Sequence, residues 1–489
     1  MLFNSFSFLY FFPVVVFLYY IFPKKIRWLW LLVTSYYFYM NWNPKYALLI
    51  LTSTLITYLS GIYIEKARNK GSNHKKTYVA LSFISNLAIL IGFKYFNFLN
   101  ENLNILWNKM GLNWEVSSLN ILLPVGISFY TFQALSYTMD VYRGEIKATK
   151  NFGKYALFVS FFPQLVAGPI EKSANLLPQF DRENKFDYNR IKEGLILMMW
   201  GFFKKLVIAD RLAILVNTVY NAPKEYTGVE LIVATVFFAF QILCDFSAYT
   251  DIAIGAAKIL GFDLMKNFDR PYFSKSIPEF WRRWHISLGA WFRDYLYFPL
   301  GGSRVSIWKK HRNIMIVFVV SGIWHGASWN FLIWGFLHGA YQIIDLATYP
   351  LMKKVNDFLK INKQSFGYKL YKVGLTFTLV SIAWIFFRAN TLGDAAYILK
   401  NLLAFDFDNL LNNKVYDLGL SSREFKIALI SIAVLLAANL LERKYDLMDL
   451  LRKQPLIIRW SFYILSILYI LFYGVYGDSD KAAFIYFQF

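Results

Sequence analysis

The sequence predicts an all-α integral membrane protein, a polytopic helical bundle, from its composition and its apolar patterning. Hydrophobic residues make up 57% of the 489 residues and charged residues 17%, whereas a soluble domain is about half apolar and a quarter charged. The apolar residues are clustered, and stretches such as residues 231–243 and 427–441 carry no Lys or Arg. A membrane-spanning helix needs roughly 20 mostly apolar residues, and the chain supplies that length about a dozen times.

The first apolar stretch, residues 3–22, is predicted to be a retained span and not a secretory signal peptide. A signal peptide has basic residues before its apolar core and a small-residue cleavage site after it. This stretch has neither feature.

The basic residues of successive loops predict the orientation of the chain, because loops rich in Lys and Arg near span ends face the cytoplasm. Lys24, Lys25 and Arg27 follow the first span, whereas the next loop holds Lys45 alone. Residues 65–76 are again rich in basic residues. This alternation predicts that the N-terminus lies outside.

Residues 155–170 break the alternation. Pro163, Gly168 and Pro169 interrupt the apolar stretch, so it is either a kinked helix or a re-entrant segment. The re-entrant alternative keeps the later basic loops inside, and non-helical backbone at membrane depth is tolerated where it is buried in protein or lines a cavity. The prediction is then about twelve crossings plus one re-entrant segment, a hairpin with its outer turn at residues 328–330, and both termini outside.

Charge and cysteine content exclude several classes of function. The 52 Lys and Arg against 31 Asp and Glu give a net charge of +21, which in a membrane protein reflects basic cytoplasmic loops, so no nucleic-acid partner is expected. The single cysteine, Cys244, excludes an internal disulfide and any site with several Cys ligands, and no metal is expected. With no internal repeat and no separate soluble domain, residues 1–489 are expected to form a single membrane domain.

His325 is the most informative ionisable residue. It stands in Ser321-Gly-Ile-Trp-His-Gly-Ala-Ser-Trp-Asn330, and ionisable groups at membrane depth are functional candidates. Histidine, with a reference pKa near 6.5, suits proton removal from an alcohol at neutral pH. The alternative is a core histidine bonded to a neighbouring helix. Gly322 and Gly326 leave room beside it for another backbone or a ligand, and His338 is expected to be core.

A basic and aromatic stretch, residues 266–312, contains His285. It suits either a lipid-facing interfacial segment or a phosphate-rich donor with a stackable base, such as coenzyme A. The candidate contacts to the donor phosphates are Arg282, Arg283, Arg293 and Lys275. Before this stretch, Asp245 and Asp251 need cationic partners in an apolar helix, and Arg282 or Arg283 is the expected partner.

Several motifs, in order along the chain, resemble the membrane-bound O-acyltransferase family, and most closely its branch of alginate O-acetyltransferase membrane subunits. They are Asp245-Phe-Ser-Ala-Tyr-Thr-Asp251, Arg270-Pro-Tyr272, Phe280-Trp-Arg-Arg-Trp-His-Ile-Ser-Leu288, Arg293-Asp-Tyr-Leu-Tyr-Phe-Pro-Leu-Gly-Gly302 and Trp324-His-Gly326. The resemblance implies a helical bundle with a central tunnel and an acyl thioester donor on the cytoplasmic side. It also implies that His325 is catalytic and that His285 is the second polar residue tied to activity.

The expected function is therefore O-acyl transfer by a multi-pass protein of the bacterial cell membrane. Acetyl-CoA would be the donor, His325 the general base, and a cell-envelope polysaccharide the final acceptor, reached through an extracytoplasmic, esterase-like partner of the SGNH type. The ending Phe484-Ile-Tyr-Phe-Gln-Phe489 resembles a family motif whose tyrosine carries the acyl group, which makes Tyr486 a candidate carrier; the alternative is an aromatic membrane anchor.

Two other functions suit a polytopic chain with buried polar residues. A lipid or polysaccharide flippase would need neither an essential histidine nor a thioester. A scaffold of an envelope-polymer complex would tolerate loss of His325 whenever assembly is preserved.

Overall fold

The computed structural model describes residues 1–112, 114, 116–119, 123–404, 416, 418–476 and 484–485. Helices dominate these residues, and none of them lies in a strand. The predicted all-α class is confirmed. A helix bonds its own backbone groups internally, which is what the hydrocarbon core of a membrane requires.

The helices up to residue 221 are α1 (Phe6–Ile21), α2 (Lys24–Met40), α3 (Ala47–Asn69), α4 (His74–Leu90), α5 (Phe96–Lys109), α6 (Ile127–Arg143), α7 (Phe152–Ser160), α8 (Ser173–Leu176), α9 (Tyr188–Phe202) and α10 (Asp210–Asn221). Those that follow are α11 (Val229–Leu260), α12 (Ile277–Arg283), α13 (Ile286–Phe292), α14 (Ile307–His325), α15 (Trp329–Phe358), α16 (Phe366–Arg388), α17 (Leu392–Asn401), α18 (Ser422–Leu441), α19 (Leu447–Arg452) and α20 (Leu456–Tyr473). Single π-helical turns occur at Ile91–Tyr95, Phe203–Ala209 and Arg293–Tyr297.

Six helical stretches of the described residues are long and apolar enough to cross a membrane. They are Pro44–Asn69, His74–Lys109, Val229–Leu260, Phe366–Arg388, Ser422–Leu441 and Leu456–Tyr473. The chain is thus a multi-pass membrane protein, and about twelve crossings remains a prediction. Some of the expected spans are divided: residues 188–221 form α9, a π-helical turn that contains Lys204 and Lys205, and α10.

Residues 155–170 do not form one kinked helix. Helix α7 has nine residues, a rise of about 14 Å, which is half of the roughly 30 Å hydrocarbon core. Turns follow it through Pro163 and Gly168, and every side chain of this stretch is buried. A short helix followed by turns is tolerated at membrane depth where protein encloses it, and the burial of these residues meets that condition.

The chain divides into two compact units, each described here by itself. The first unit is Met1–Met198, Ile252–Lys266 and Ala290–Tyr295, and the second is Met199–Asp251, Asn267–Gly289 and Leu296–Phe489.

Buried polar side chains join the helices of the first unit. Ser53 of α3 donates a hydrogen bond of 2.5 Å to Asn86 of α4. The Tyr155 hydroxyl of α7 donates one of 2.7 Å to Thr57 of α3. Because unpaired polar groups are costly away from water, these pairs specify which helix faces meet.

In the second unit, α14 and α15 form a close hairpin. A Cβ atom at Gly322 would overlap the Phe331 carbonyl group and lie 3.2 Å from the Gly335 Cα atom, so only glycine allows this approach of the two backbones. The helix α15 begins at Trp329, with Ser328 as its N-cap. The turn predicted at residues 328–330 is therefore shifted toward Gly326, because Trp329 and Asn330 are already helical.

The helices of the second unit differ in how much apolar surface they expose. The most apolar stretch of α20 is 6% buried and that of α18 is 28% buried. Exposed and largely apolar helix surfaces of this kind suit contact with lipid acyl chains.

Candidate active site

His325 is the last residue of α14, and Gly326 ends the helix. The side chain is 5% exposed. Its ring meets three aromatic rings edge-on, with centroid distances of 4.9 Å to Trp324, 4.9 Å to Trp334 and 5.4 Å to Phe387. The predicted catalytic histidine therefore lies in a buried, aromatic environment, where electrostatic interactions are stronger than in water.

The glycines beside His325 are explained by packing. Gly322 contacts the α15 backbone, and a Cβ at Gly326 would overlap the ring of Phe331. Of the two occupants that the sequence left open, a backbone and a ligand, the space beside Gly322 is filled by a backbone. The glycines thus place the end of α14, and with it His325, directly against α15.

His285 occupies the short link between α12 and α13. Its backbone has a φ of 45°, a left-handed conformation that is uncommon for residues other than glycine. The side chain is 1% exposed and packs edge-on against Phe246, with ring centroids 4.7 Å apart. Burial lowers the pKa of His285 to about 3, so the imidazole is neutral at physiological pH.

Trp324 packs against both histidines. Its ring centroid is 6.1 Å from that of His285 and 4.9 Å from that of His325. Both histidines belong to the second unit. The fold therefore brings together two histidines that are 40 residues apart in the chain (325 minus 285).

Asn267 is a partner of His285 that the sequence analysis missed. Its side-chain oxygen lies 3.1 Å from His285 Nδ1. Asn267 is 1% exposed and precedes the Arg270-Pro-Tyr272 motif by three residues. An isolated Asn in a basic loop carries no sequence signal for such a role.

His338 is a core residue, as expected. It is fully buried, and its Nδ1 accepts a hydrogen bond of 3.2 Å from the Trp281 indole. Trp334 packs against both His338 and His325, with ring centroids 5.0 Å and 4.9 Å away. His338 therefore packs against Trp334, one of the aromatic rings that surround His325.

Three of the four predicted donor-binding cations lie on one segment of the second unit. Arg282 is exposed, whereas Arg283 forms an ion pair of 2.6 Å with Glu279. Glu279 also accepts a hydrogen bond of 2.8 Å from the Lys275 backbone. Arg293 belongs to the first unit, where its guanidinium lies 2.9 Å from Asp294. Of these cations, Arg282 has the most accessible charge within its segment.

The expected pairing of Asp245 and Asp251 with Arg282 or Arg283 is wrong. Lys205 lies 2.6 Å from Asp245, and Lys204 lies 2.6 Å from Asp251. The lysines come from the π-helical turn Phe203–Ala209, which packs beside α11 inside the second unit. Two adjacent lysines within an apolar stretch were the available signal, because buried lysines need carboxylate partners.

The C-terminal segment is anchored at the same place. The Ile485 backbone N–H donates a hydrogen bond of 2.6 Å to Asp245, and the Lys205 ammonium lies 4.3 Å from the centre of the Phe484 ring. Phe484 is 1% exposed. Tyr486 lies outside the described residues, next in sequence to this buried anchor.

No group of three or more His, Cys, Asp or Glu residues with the arrangement of a metal site occurs in the part of the chain that the structure describes.

Comparison with known proteins gives consistent matches. The profile of MBOAT, the membrane-bound O-acyltransferase family, matches residues 145–364, a range that includes both candidate histidines. The Pseudomonas putida protein named probable alginate O-acetylase is 38% identical over 88% of this chain and 87% of its own length. The peptidoglycan O-acetyltransferase of Helicobacter pylori is 35% identical over 78% of this chain and 74% of its own. The teichoic acid D-alanyltransferase of Bacillus subtilis is 29% identical over 50% and 62%.

Proposed function

The chain belongs to the membrane-bound O-acyltransferase family and is an O-acyltransferase, and we propose that it takes an acetyl group from acetyl-CoA for O-acetylation of a cell-envelope polysaccharide. The observation that carries this proposal is that His325 and His285 are both buried in the second unit and both pack against Trp324. Relatives named for alginate and peptidoglycan O-acetylation support acetyl as the transferred group and a polysaccharide as the acceptor.

His325 is the general base in the proposed reaction. Its neutral imidazole takes the proton of an acceptor hydroxyl while the hydroxyl oxygen attacks the thioester carbonyl carbon. The carbon–sulfur bond then breaks, the departing thiolate receives a proton, and the products are an ester and free coenzyme A. The aromatic surroundings of His325 exclude water, which would otherwise hydrolyse the thioester.

The donor is proposed to enter from the cytoplasmic side along the basic stretch of residues 266–312, through the tunnel expected for the family. Arg282, exposed on its segment, suits a contact with the phosphates of coenzyme A. Arg283, Lys275 and Arg293 are further candidates for this contact. Residues 1–489 are proposed to act as a single membrane domain.

On the outer side of the membrane, Tyr486 is proposed to be the first carrier of the acetyl group. Phe484 and Ile485, which precede it, are held in the interior of the second unit by Lys205 and Asp245. A phenol, with a pKa near 10, forms a more activated ester than an alkyl alcohol does. The acetyl ester would pass from Tyr486 to an extracytoplasmic, esterase-like partner, and then to the polysaccharide. This route requires a bacterial plasma membrane with both termini outside.

Release of free coenzyme A tests the proposal. The purified protein in proteoliposomes, given acetyl-CoA and the outer partner, is expected to release the thiol in step with acetylation of the acceptor. A flippase would release none. A scaffold would support polymer acetylation equally well with His325→Ala, provided that this variant still assembles.

A further inference from the structure

Asn267 holds the loop that carries His285. Its side-chain oxygen accepts hydrogen bonds from the Ser287 backbone N–H at 3.1 Å and from the Ser287 hydroxyl at 2.9 Å. Its backbone carbonyl accepts a third, of 2.9 Å, from the Ile286 N–H. These bonds fasten the chain immediately after His285, whose left-handed backbone needs such support.

The same bonds decide which end of the Asn267 amide faces His285. A backbone N–H can only donate, so the atom that faces the Ser287 N–H is the carbonyl oxygen and not the amide nitrogen. This oxygen also lies 3.1 Å from His285 Nδ1. An oxygen acceptor at that distance requires that Nδ1 carry a proton and donate it.

The position of this proton determines whether Nε2 of His285 accepts or donates a hydrogen bond. A neutral imidazole carries one proton, and burial keeps His285 neutral by lowering its pKa to about 3. With that proton on Nδ1, Nε2 has a lone pair and acts as an acceptor. Phe246 of α11 and Trp324 of α14, two uncharged side chains, pack against the ring.

We propose that Asn267 is a positioning residue of the active site, which fixes the Nδ1–H tautomer of His285 and thereby keeps Nε2 as a hydrogen-bond acceptor. His325 takes the single proton of the reacting hydroxyl, whereas His285 Nε2 accepts a hydrogen bond from a different O–H or N–H group of the bound substrates, which orients the reacting oxygen toward the thioester. This inference rests on the proposed O-acetyl transfer for its kinetic consequences, but the tautomer itself does not depend on the reaction.

A spectroscopic experiment tests the tautomer without any assay of activity. The full-length protein, labelled with 15N in histidine only, is compared with His285→Gln to assign the His285 signals. A protonated Nδ1 and an unprotonated Nε2 are expected. The opposite tautomer would overturn the proposal whether or not the protein transfers acetyl groups.

Kinetics test the consequence. Asn267→Ala is expected to lower kcat by about tenfold, which is less than the roughly 10²–10⁴-fold effect of losing a general acid or base because Asn267 acts through His285, with little change in the donor KM. Ser287→Ala is the matched control, because it removes a donor to the same oxygen without touching His285. An Asn267→Ala enzyme with kcat within about twofold of the wild type would overturn the positioning role.

A second variant covers the case in which Asn267→Ala fails to fold. Asn267→Asp keeps the acceptor oxygen and adds a negative charge, which favours protonated His285. The acid limb of its kcat profile should therefore move to higher pH than in the wild type. A superimposable pH profile would contradict the proposal, whereas absence of acetyl transfer by the wild type would contradict the proposed function and leave the spectroscopic result to decide the tautomer.

Discussion

Lys205 and Asp245 form an ion pair of 2.6 Å inside the second unit, with 1% and 4% of their side chains exposed. Asp210 lies 2.8 Å from the same ammonium group. Because Asp245 also accepts a hydrogen bond from Ile485, this charged cluster joins α11, the lysine-bearing π-helical turn and the C-terminal segment. Loss of Lys205 leaves two buried carboxylates without their cation, whereas loss of either carboxylate leaves Lys205 paired with the other.

Lys205→Met should therefore destabilise the protein strongly, since it leaves two buried carboxylates without their cation. Breaking a buried pair costs roughly 3–5 kcal/mol. Asp245→Asn should cost less, because Lys205 keeps Asp210 and the amide oxygen still accepts from Ile485. Thermal unfolding in detergent measures the order. Lys453→Met, at an exposed ion pair with Asp449, is the control and should leave the Tm unchanged. Equal Tm values for Lys205→Met and Lys453→Met would contradict the structural importance of the cluster.

His325→Ala should abolish acetyl transfer without changing expression or the size of the detergent-solubilised protein. A general base contributes roughly 10²–10⁴-fold to the rate, and activity within about twofold of the wild type would exclude the role. The assay is coenzyme A release from acetyl-CoA. His74→Ala is the control, because His74 is exposed at the start of α4.

Arg282 and Arg283 should respond differently to replacement. Arg282→Glu is expected to raise the donor KM and its dependence on ionic strength, because an exposed cation is available to phosphates. Arg283 already pairs with Glu279 at 2.6 Å, so Arg283→Ala should change the donor KM less. Steady-state kinetics at two salt concentrations measure both effects. Unchanged donor kinetics of Arg282→Glu, with an altered lipid requirement, would favour the membrane-surface alternative.

Cysteine labelling tests the orientation of the chain. A cysteine at Asn73, exposed in a loop rich in Lys and Arg, should resist an impermeant thiol reagent in intact cells. Cysteines at Asn113 and Asn412, which lie outside the described residues, should react. Labelling of position 73 from outside would reverse the whole topology.

Tyr486→Phe separates an acyl carrier from an aromatic anchor, because it keeps the ring and removes only the hydroxyl. Loss of polymer acetylation with retained binding of acetyl-CoA is expected. Mass spectrometry of the wild type without its outer partner should then show acetyl on Tyr486. Normal polymer acetylation by Tyr486→Phe would rule out the carrier and leave His325 to activate another hydroxyl.

Much of the architecture followed from local patterns in the sequence. The length and composition of stretches such as residues 231–243 predicted membrane helices, because backbone groups in lipid must be bonded within the helix. The motifs around His285 and His325 are sufficient to mark both histidines as candidate site residues. Gly322 and Gly326 indicated that another backbone or a ligand comes close to His325, because glycine has no side chain to fill that space.

The sequence by itself determined the helical membrane class and the acyltransferase family, and it identified His285 and His325 as the candidate site residues. Only the tertiary structure decided that Asp245 and Asp251 pair with Lys205 and Lys204 and not with the arginines that follow them, and that Asn267 holds His285. The reason is physical: the partner of a buried charge or amide is chosen by which helix faces pack together, and that choice depends on contacts between residues far apart in the chain. Periodicity and composition describe each helix separately, so they cannot specify such pairs.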